Sequence, residues 1–276
     1  MLDTKIDFIS DIHVDSHRQD ILRLGGLEKF VLAMLPQKIG DILIISGDVS
    51  ETINDVVQFL KLISIHYKQV FYVYGNHEMY LGEKESQEFY GDTFLKLDEL
   101  KKQVSKINNC FYLDGFEKQK IILDNGLSIS GLCMFWDYSG TSLAHHTVNS
   151  LYRKAINDNK FIKFGSKNLN PNKFFKNQQK KLKKLEEVDI LVTHYPPVKP
   201  PGTSDDILST FFYFDGEEDL KRLNTKVCFY GHDHKQHDFE VNGTRLISNP
   251  FGYPSERTET KNKRDWIQSI TLKGKK

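Results

Sequence analysis

The chain has 276 residues, of which 39% are hydrophobic and 27% charged, and its formal net charge is +1 at pH 7. That balance supports a packed core and excludes a disordered or fibrous chain, while near-neutrality argues against a basic nucleic-acid-binding domain. Three cysteines, Cys110, Cys133 and Cys228, form no CxxC pair and no even-numbered framework, which points to a reducing compartment with free thiols.

The opening MLDTKIDFIS has no basic start followed by a long apolar run, and no stretch approaches the ~20 apolar residues of a membrane span. A cytoplasmic protein without membrane attachment is the expectation. In chain order, KIDFISDIH reads as a strand that stops at Asp11, followed by a helical pattern over 24–35. DILIISGDVS is a second strand ending at Gly47 and Asp48, and 53–65 repeats the helical spacing. QVFYVYGNHE ends a third strand at Gly75, Asn76 and His77. This alternation predicts βαβ units around parallel strands. KIILDNGLSISGL then carries Asn-Gly between alternating segments, a hairpin signal. Residues 137–187 are polar and rich in Lys and Asn, with helical stretches at 144–157 and 173–187. They read as a helical insertion or cap within a single domain spanning 1–276. DILVTHYPP stops at His194, KVCFYGHDH at His232 and His234, and FEVNGTRLIS is a second hairpin. The hairpins favour a mixed sheet or two packed sheets over a purely parallel one.

In open α/β sheets, functional groups gather beyond the carboxyl ends of the strands. Here those ends carry Asp11 and His13, Asp48, Asn76 with His77, His194, and His232 with His234. Imidazole, carboxylate and amide oxygen suit borderline divalent ions such as Mn, Fe and Zn. The set is too large for one ion, whereas two ions ~3.5–4 Å apart and sharing a carboxylate could use it.

The fragments DIH, GDV, GNHE, THYPP and GHDH stand in that order between residues 11 and 234. The chain thereby resembles the calcineurin-like metallophosphoesterases, whose signature runs D-x-H, G-D, G-N-H-[DE], a lone His and G-H-x-H. The resemblance implies an α/β fold of two stacked mixed β-sheets flanked by helices, the αββα sandwich. It implies a metal-dependent phosphoric ester hydrolase, phosphatase or phosphodiesterase, acting on a phosphate mono- or diester by attack of a metal-bound hydroxide. Two divalent ions (Mn, Fe, Zn or Ni) follow from it, the first on Asp11, His13, Asp48 and His234. The second would sit on Asp48, Asn76, His194 and His232, with Asp48 bridging. His77 would face the phosphate as charge stabiliser or general acid, and Glu78 would orient His77 or a neighbouring ligand. SNPFGYPSE looks like the N-P-x-G-Y-P-x-E tail of small bacterial members and reads as a closing turn. THYPP departs from the many relatives that have a second histidine after the ligand, which makes Tyr195 a candidate substrate contact. Arg257 is a candidate phosphate clamp, since guanidinium pairs bidentately with phosphate.

A small phosphate ester or nucleotide is therefore the expected partner. Near-neutral charge disfavours a nuclease, and a protein-serine/threonine phosphatase lacks a clear arginine pair beside these motifs. A metal-free binding module on the same fold predicts lost ligands, and none of the seven is missing. The lysine-rich run 173–187 reads as a solvated helix face, with Glu186, Glu187 and Asp189 balancing it. Trp136 and Tyr138 fit an aromatic wall for a nucleobase or a cover over a sheet edge equally well. His17, His66, His145, His146 and His237 are expected to be loop or surface residues, with one of His145 and His146 able to reach substrate.

Overall fold

Strands that are apolar along their whole length need cover on both faces, and this requirement sets the architecture. The computed structural model describes residues 3–115, 120–165, 167–168, 170–256 and 266–275. The first half runs β1 (Thr4–Ile9), α1 (Arg18–Leu24), α2 (Leu27–Met34), β2 (Ile42–Ser46), α3 (Ile53–Ser64) and β3 (Gln69–Val73). It continues through α4 (Glu83–Glu88), α5 (Thr93–Val104) and β4 (Cys110–Tyr112). β5 (Ile121–Ile122) and β6 (Ser128–Leu132) follow, then α6 (His145–Ala155), α7 (Asp158–Phe161), β7 (Lys163–Phe164), β8 (Lys167–Asn168) and α8 (Pro171–Lys184). β9 (Ile190–Thr193), α9 (Glu217–Leu223), β10 (Val227–Tyr230), β11 (His237–Val241), β12 (Thr244–Ser248) and β13 (Gln268–Leu272) complete the order.

One sheet is ordered β13-β1-β2-β3-β4 and the other β11-β12-β10-β9-β6-β5, with β7 and β8 a separate hairpin. The inner strands pair in parallel, while β13, β11 and β5 add antiparallel edges, so both main sheets are mixed. The sheets pack face to face: Phe8 of β1 meets Phe229 of β10 with ring centroids 5.1 Å apart. A Cβ on Gly131 of β6 would lie 2.9 Å from Val73 of β3, so this position must stay small for the layers to close. The two-sheet expectation is met.

The helical pattern over 24–35 resolves differently. Gly25, at φ 90°, caps α1 in the left-handed conformation, and α2 starts afresh at Leu27. The Asn-Gly hairpin signal holds between β11 and β12, where Asn242 and Gly243 have φ 51° and 82°. The helices expected in the insertion are α6 and α8, with α7 between them. α8 seats Phe174 edge-on against Phe135, with ring centroids 5.2 Å apart. Among the described residues no helix is long and apolar enough to cross a membrane.

Candidate metal centre

β1, β2 and β3 of one sheet and β9 and β10 of the other release their chains at one end of the sandwich. The loops there are held by backbone hydrogen bonds: the N–H groups of Ile12 and His13 donate to the Asp48 carbonyl at 2.8 and 3.0 Å. Asp11, His13, Asp48, His232 and His234 all adopt positive φ, between 46° and 75°, where residues other than glycine are uncommon and strained. The glycines that open GDV, GNHE and GHDH make room for the donors. A Cβ on Gly75 would lie 2.1 Å from Asp48 Oδ1, and one on Gly47 2.5 Å from His194 Nδ1.

Two groups of donor atoms form. Asp11, His13 and His234 offer atoms that all lie within 4.8 Å of one another, and so do Asp48, His194 and His232. Asp48 stands between the groups, with Oδ1 3.4 Å from His194 Nε2 and Oδ2 4.0 Å from His13 Nε2. Asn76 joins the second group, its Oδ1 2.9 Å from His194 Nε2 and 3.1 Å from His232 Nδ1. His77 forms a third such group with His13 and Asp48, so proximity alone admits it as a donor.

The lone pairs fit cations. His194 Nδ1 lies 2.8 Å from the Ser46 carbonyl, so its N–H is committed there and Nε2 faces Asn76 Oδ1 and Asp48, with a lone pair when the ring is neutral. His234 Nδ1 lies 2.7 Å from Glu256 Oε2, which likewise turns its Nε2 toward His13 Nε2, 3.1 Å away. Acceptors facing acceptors at such distances are stable around a proton or a metal ion. Burial holds the pKa values of His13 and His232 well below the usual imidazole range, so both are neutral and free to ligate at pH 7. Burial also acts to lower His194, but the Asp48 and Asp11 carboxylates outweigh it and raise the ring to about 9. In the same way Asp48 and Glu51 outweigh burial at His77, again to about 9.

Glu78 is buried and does not touch the His77 ring. Its carboxylate accepts from the backbone N–H groups of Asp48, Val49 and Gly75 at 3.1, 2.6 and 2.6 Å, tying together the loops after β2 and β3. The His77 backbone N–H donates to Asp48 Oδ1 at 2.9 Å, while its ring lies 3.2 Å from the Tyr253 hydroxyl and 3.4 Å from Glu51. Tyr195 corrects the expectation of a substrate contact. It is fully buried with its ring 3.9 Å from His232 and its hydroxyl donating to Asp158, so it backs the site instead of facing it. Arg257 lies outside the described residues.

His17 lies in the turn before α1, the loop position expected of it, and is buried there, its ring nitrogens 3.0 Å from Asp20 and 2.9 Å from the Gly252 carbonyl. His237 is not free to solvent either, lying 2.7 Å from Asp233. His145 and His146 are exposed, His145 stacked on Tyr138 with centroids 4.2 Å apart, and Trp136 is buried against Tyr152 and Phe211. Three contributors escaped sequence reasoning. Tyr253 stacks on His13 at 4.3 Å, Glu256 holds His234, and Asp158 of α7 accepts from Asn76 Nδ2 at 2.9 Å. SNPFGYPSE marked the first two as a segment, whereas nothing marked Asp158.

The family model of the calcineurin-like phosphoesterases matches residues 4–236, and the chain belongs to that family. Metal-dependent phosphoesters chemistry is the general activity of this class, and the His and Asp groups above are compatible with it. Among solved structures, phosphopantetheinyl hydrolase from Mycobacterium tuberculosis is similar, with 19% identity and a TM-score of 0.75 over 96% of this chain and 95% of its own. An archaeal phosphodiesterase has 16% identity over 97% of this chain and 99% of its own, at a TM-score of 0.34. At 19% identity the first likeness is one of fold. A comparison with curated protein sequences finds no match.

Proposed function

We propose that the chain is a dinuclear metal-dependent phosphoesterase that hydrolyses a small phosphate mono- or diester. The observation that carries this reading is Asp48, whose two oxygens face different donor groups. Asp11, His13, Asp48 and His234 would hold one divalent ion, and Asp48, Asn76, His194 and His232 the other. Two such ions supply a water acidified toward neutral pH and neutralise phosphate oxygens.

The protein's own contribution is placement and protons. Gly47, Gly75 and Gly231 leave the close approaches open, and Glu78 fixes the loops that carry Asp48 and Asn76. His77, beside Tyr253 and Glu51, is positioned to stabilise phosphate charge or protonate the departing oxygen. The domain is read as a single unit with residues 137–187 inserted, and its place of action as the cytoplasm. A phosphopantetheine ester belongs in the substrate panel, because one structural neighbour that matches over nearly its full length is a phosphopantetheinyl hydrolase.

The test is metal content with activity. Protein purified without chelator should carry close to two ions, and Asp48→Asn should lose ions and turnover together on phosphomonoester and phosphodiester panels with Mn, Ni, Zn, Fe and Mg. Less than half an ion per chain after reconstitution would sink the two-ion reading.

A further inference from the structure

An asparagine amide can present either its oxygen or its NH2 group to a neighbour. Beside Asn76 stand two imidazole nitrogens, His194 Nε2 at 2.9 Å and His232 Nδ1 at 3.1 Å from Oδ1. Both rings leave a lone pair on that side when neutral, and His194 has spent its other nitrogen on the Ser46 carbonyl. Between two neutral rings, the state in which they can ligate, the amide is free to turn its NH2 group inward and donate to both. Such an amide would repel a cation instead of binding it.

The structure has the opposite orientation, and the nitrogen end of the amide is held from residues 137–187. Asn76 Nδ2 donates to Asp158 Oδ1 at 2.9 Å, with the Tyr80 hydroxyl 3.3 Å away. Asp158 is 3% exposed, and its carboxylate also accepts from the hydroxyls of Tyr80 at 2.7 Å and Tyr195 at 3.2 Å. Asp158 Oδ1 accepts from both the Asn76 amide and the Tyr80 hydroxyl, which holds the NH2 end of the amide outward. The turn that delivers it is pinned to the loop after β3. The Leu81 N–H donates to the Phe161 carbonyl at 2.9 Å, and the Lys163 N–H to Thr93 Oγ1 at 3.0 Å.

We infer that Asp158 is a positioning residue that locks the Asn76 amide with its oxygen toward the second ion, making the insertion part of the metal centre. The inference rests on the dinuclear reading above. A negative charge on the far side of the amide also strengthens the oxygen as a donor, as partners behind metal ligands generally do.

The test uses the full chain, stripped by chelation and titrated with Mn2+ alone, read by calorimetry and elemental analysis. The unaltered protein should bind two ions. Asp158→Ala should bind the first as before and the second about 10–100-fold more weakly. The double variant Asp158→Asn with Asn76→Asp should regain the second ion, because a carboxylate at 76 has no nitrogen end and the new amide at 158 can donate to it. A merely structural Asp158 would not be rescued in this way. If Asp158→Ala fails to fold, the double variant decides alone. Two ions bound by Asp158→Ala with unchanged affinity overturn the inference and leave the dinuclear reading intact, as does a folded double variant that still lacks the second ion. Fewer than two ions in the unaltered protein overturn both.

Discussion

The His77 ring sits nearer Tyr253 than Asp48: Tyr253 Oη is 3.2 Å from Nε2, against 4.0 Å for Asp48 Oδ2. Proximity alone admits both proton handling and ligation for this ring, and kinetics can tell them apart. His77→Ala should keep both ions while losing about 10²–10⁴-fold in rate, the usual contribution of a positioned acid. The loss should be far larger on an alkyl ester, whose alkoxide needs a proton, than on p-nitrophenyl phosphate. Equal loss on both would remove the acid role, and loss of an ion would make His77 a ligand. At this scale the seven proposed donors were legible because each follows an apolar strand, where the chain leaves the sheet and no packing demand explains an imidazole or carboxylate. Asp158 was not, since an acidic residue opening a short helix is what the helix dipole favours anywhere. Its meaning comes only from Asn76, 82 positions earlier in the chain.

Single elements bring the same lesson and a pH dependence. α1 and α2 read as one helix because their apolar spacing runs through Gly25 and Gly26, and only the left-handed backbone there divides them. α4 and β4 lie where short length leaves no period to detect. Asp189, just before β9, bonds four groups from three other segments: the N–H and hydroxyl of Ser128 at 2.8 Å each, and the ammonium groups of Lys226 at 3.1 Å and Lys275 at 2.7 Å. Burial alone would raise its pKa, but Lys275, Ser128 and Lys226 outweigh that and hold it at about 2, against 3.8 ordinarily. A pKa lower in the folded chain means that folding stabilises the charged form. The contribution is therefore full above about pH 4 and fades as pH falls through about 2. Asp189→Asn should accordingly unfold at lower denaturant concentration than the unaltered protein at pH 7, with the gap closing toward pH 2. A gap that stays constant with pH would mean that Asp189 acts by packing and not by charge.

For the molecule as a whole, the site is where stability and occupancy meet. Loops from both sheets carry the proposed ligands, so an ion that binds only the folded chain clamps one layer to the other. Linkage gives about 2.7 kcal/mol of added stability for an ion present at a hundred times its dissociation constant. Melting followed by circular dichroism should therefore rise on adding Mn2+ to chelator-treated protein, and Asp48→Asn should lose most of that rise. An unchanged midpoint in the unaltered protein would mean that the loops are not joined through bound ions. The layered architecture was readable from hairpins and apolar runs, whereas the contact of α7 with Asn76 was not, because it joins distant stretches of chain. The left-handed backbone of Asp11, His13, Asp48, His232 and His234 sets stability against the donor set. Each of these residues costs on the order of 1–3 kcal/mol where glycine would sit at ease. Glycine at any one of them would relieve that strain and remove a donor with it, so the sturdiest backbone for these loops is one that could hold no ion.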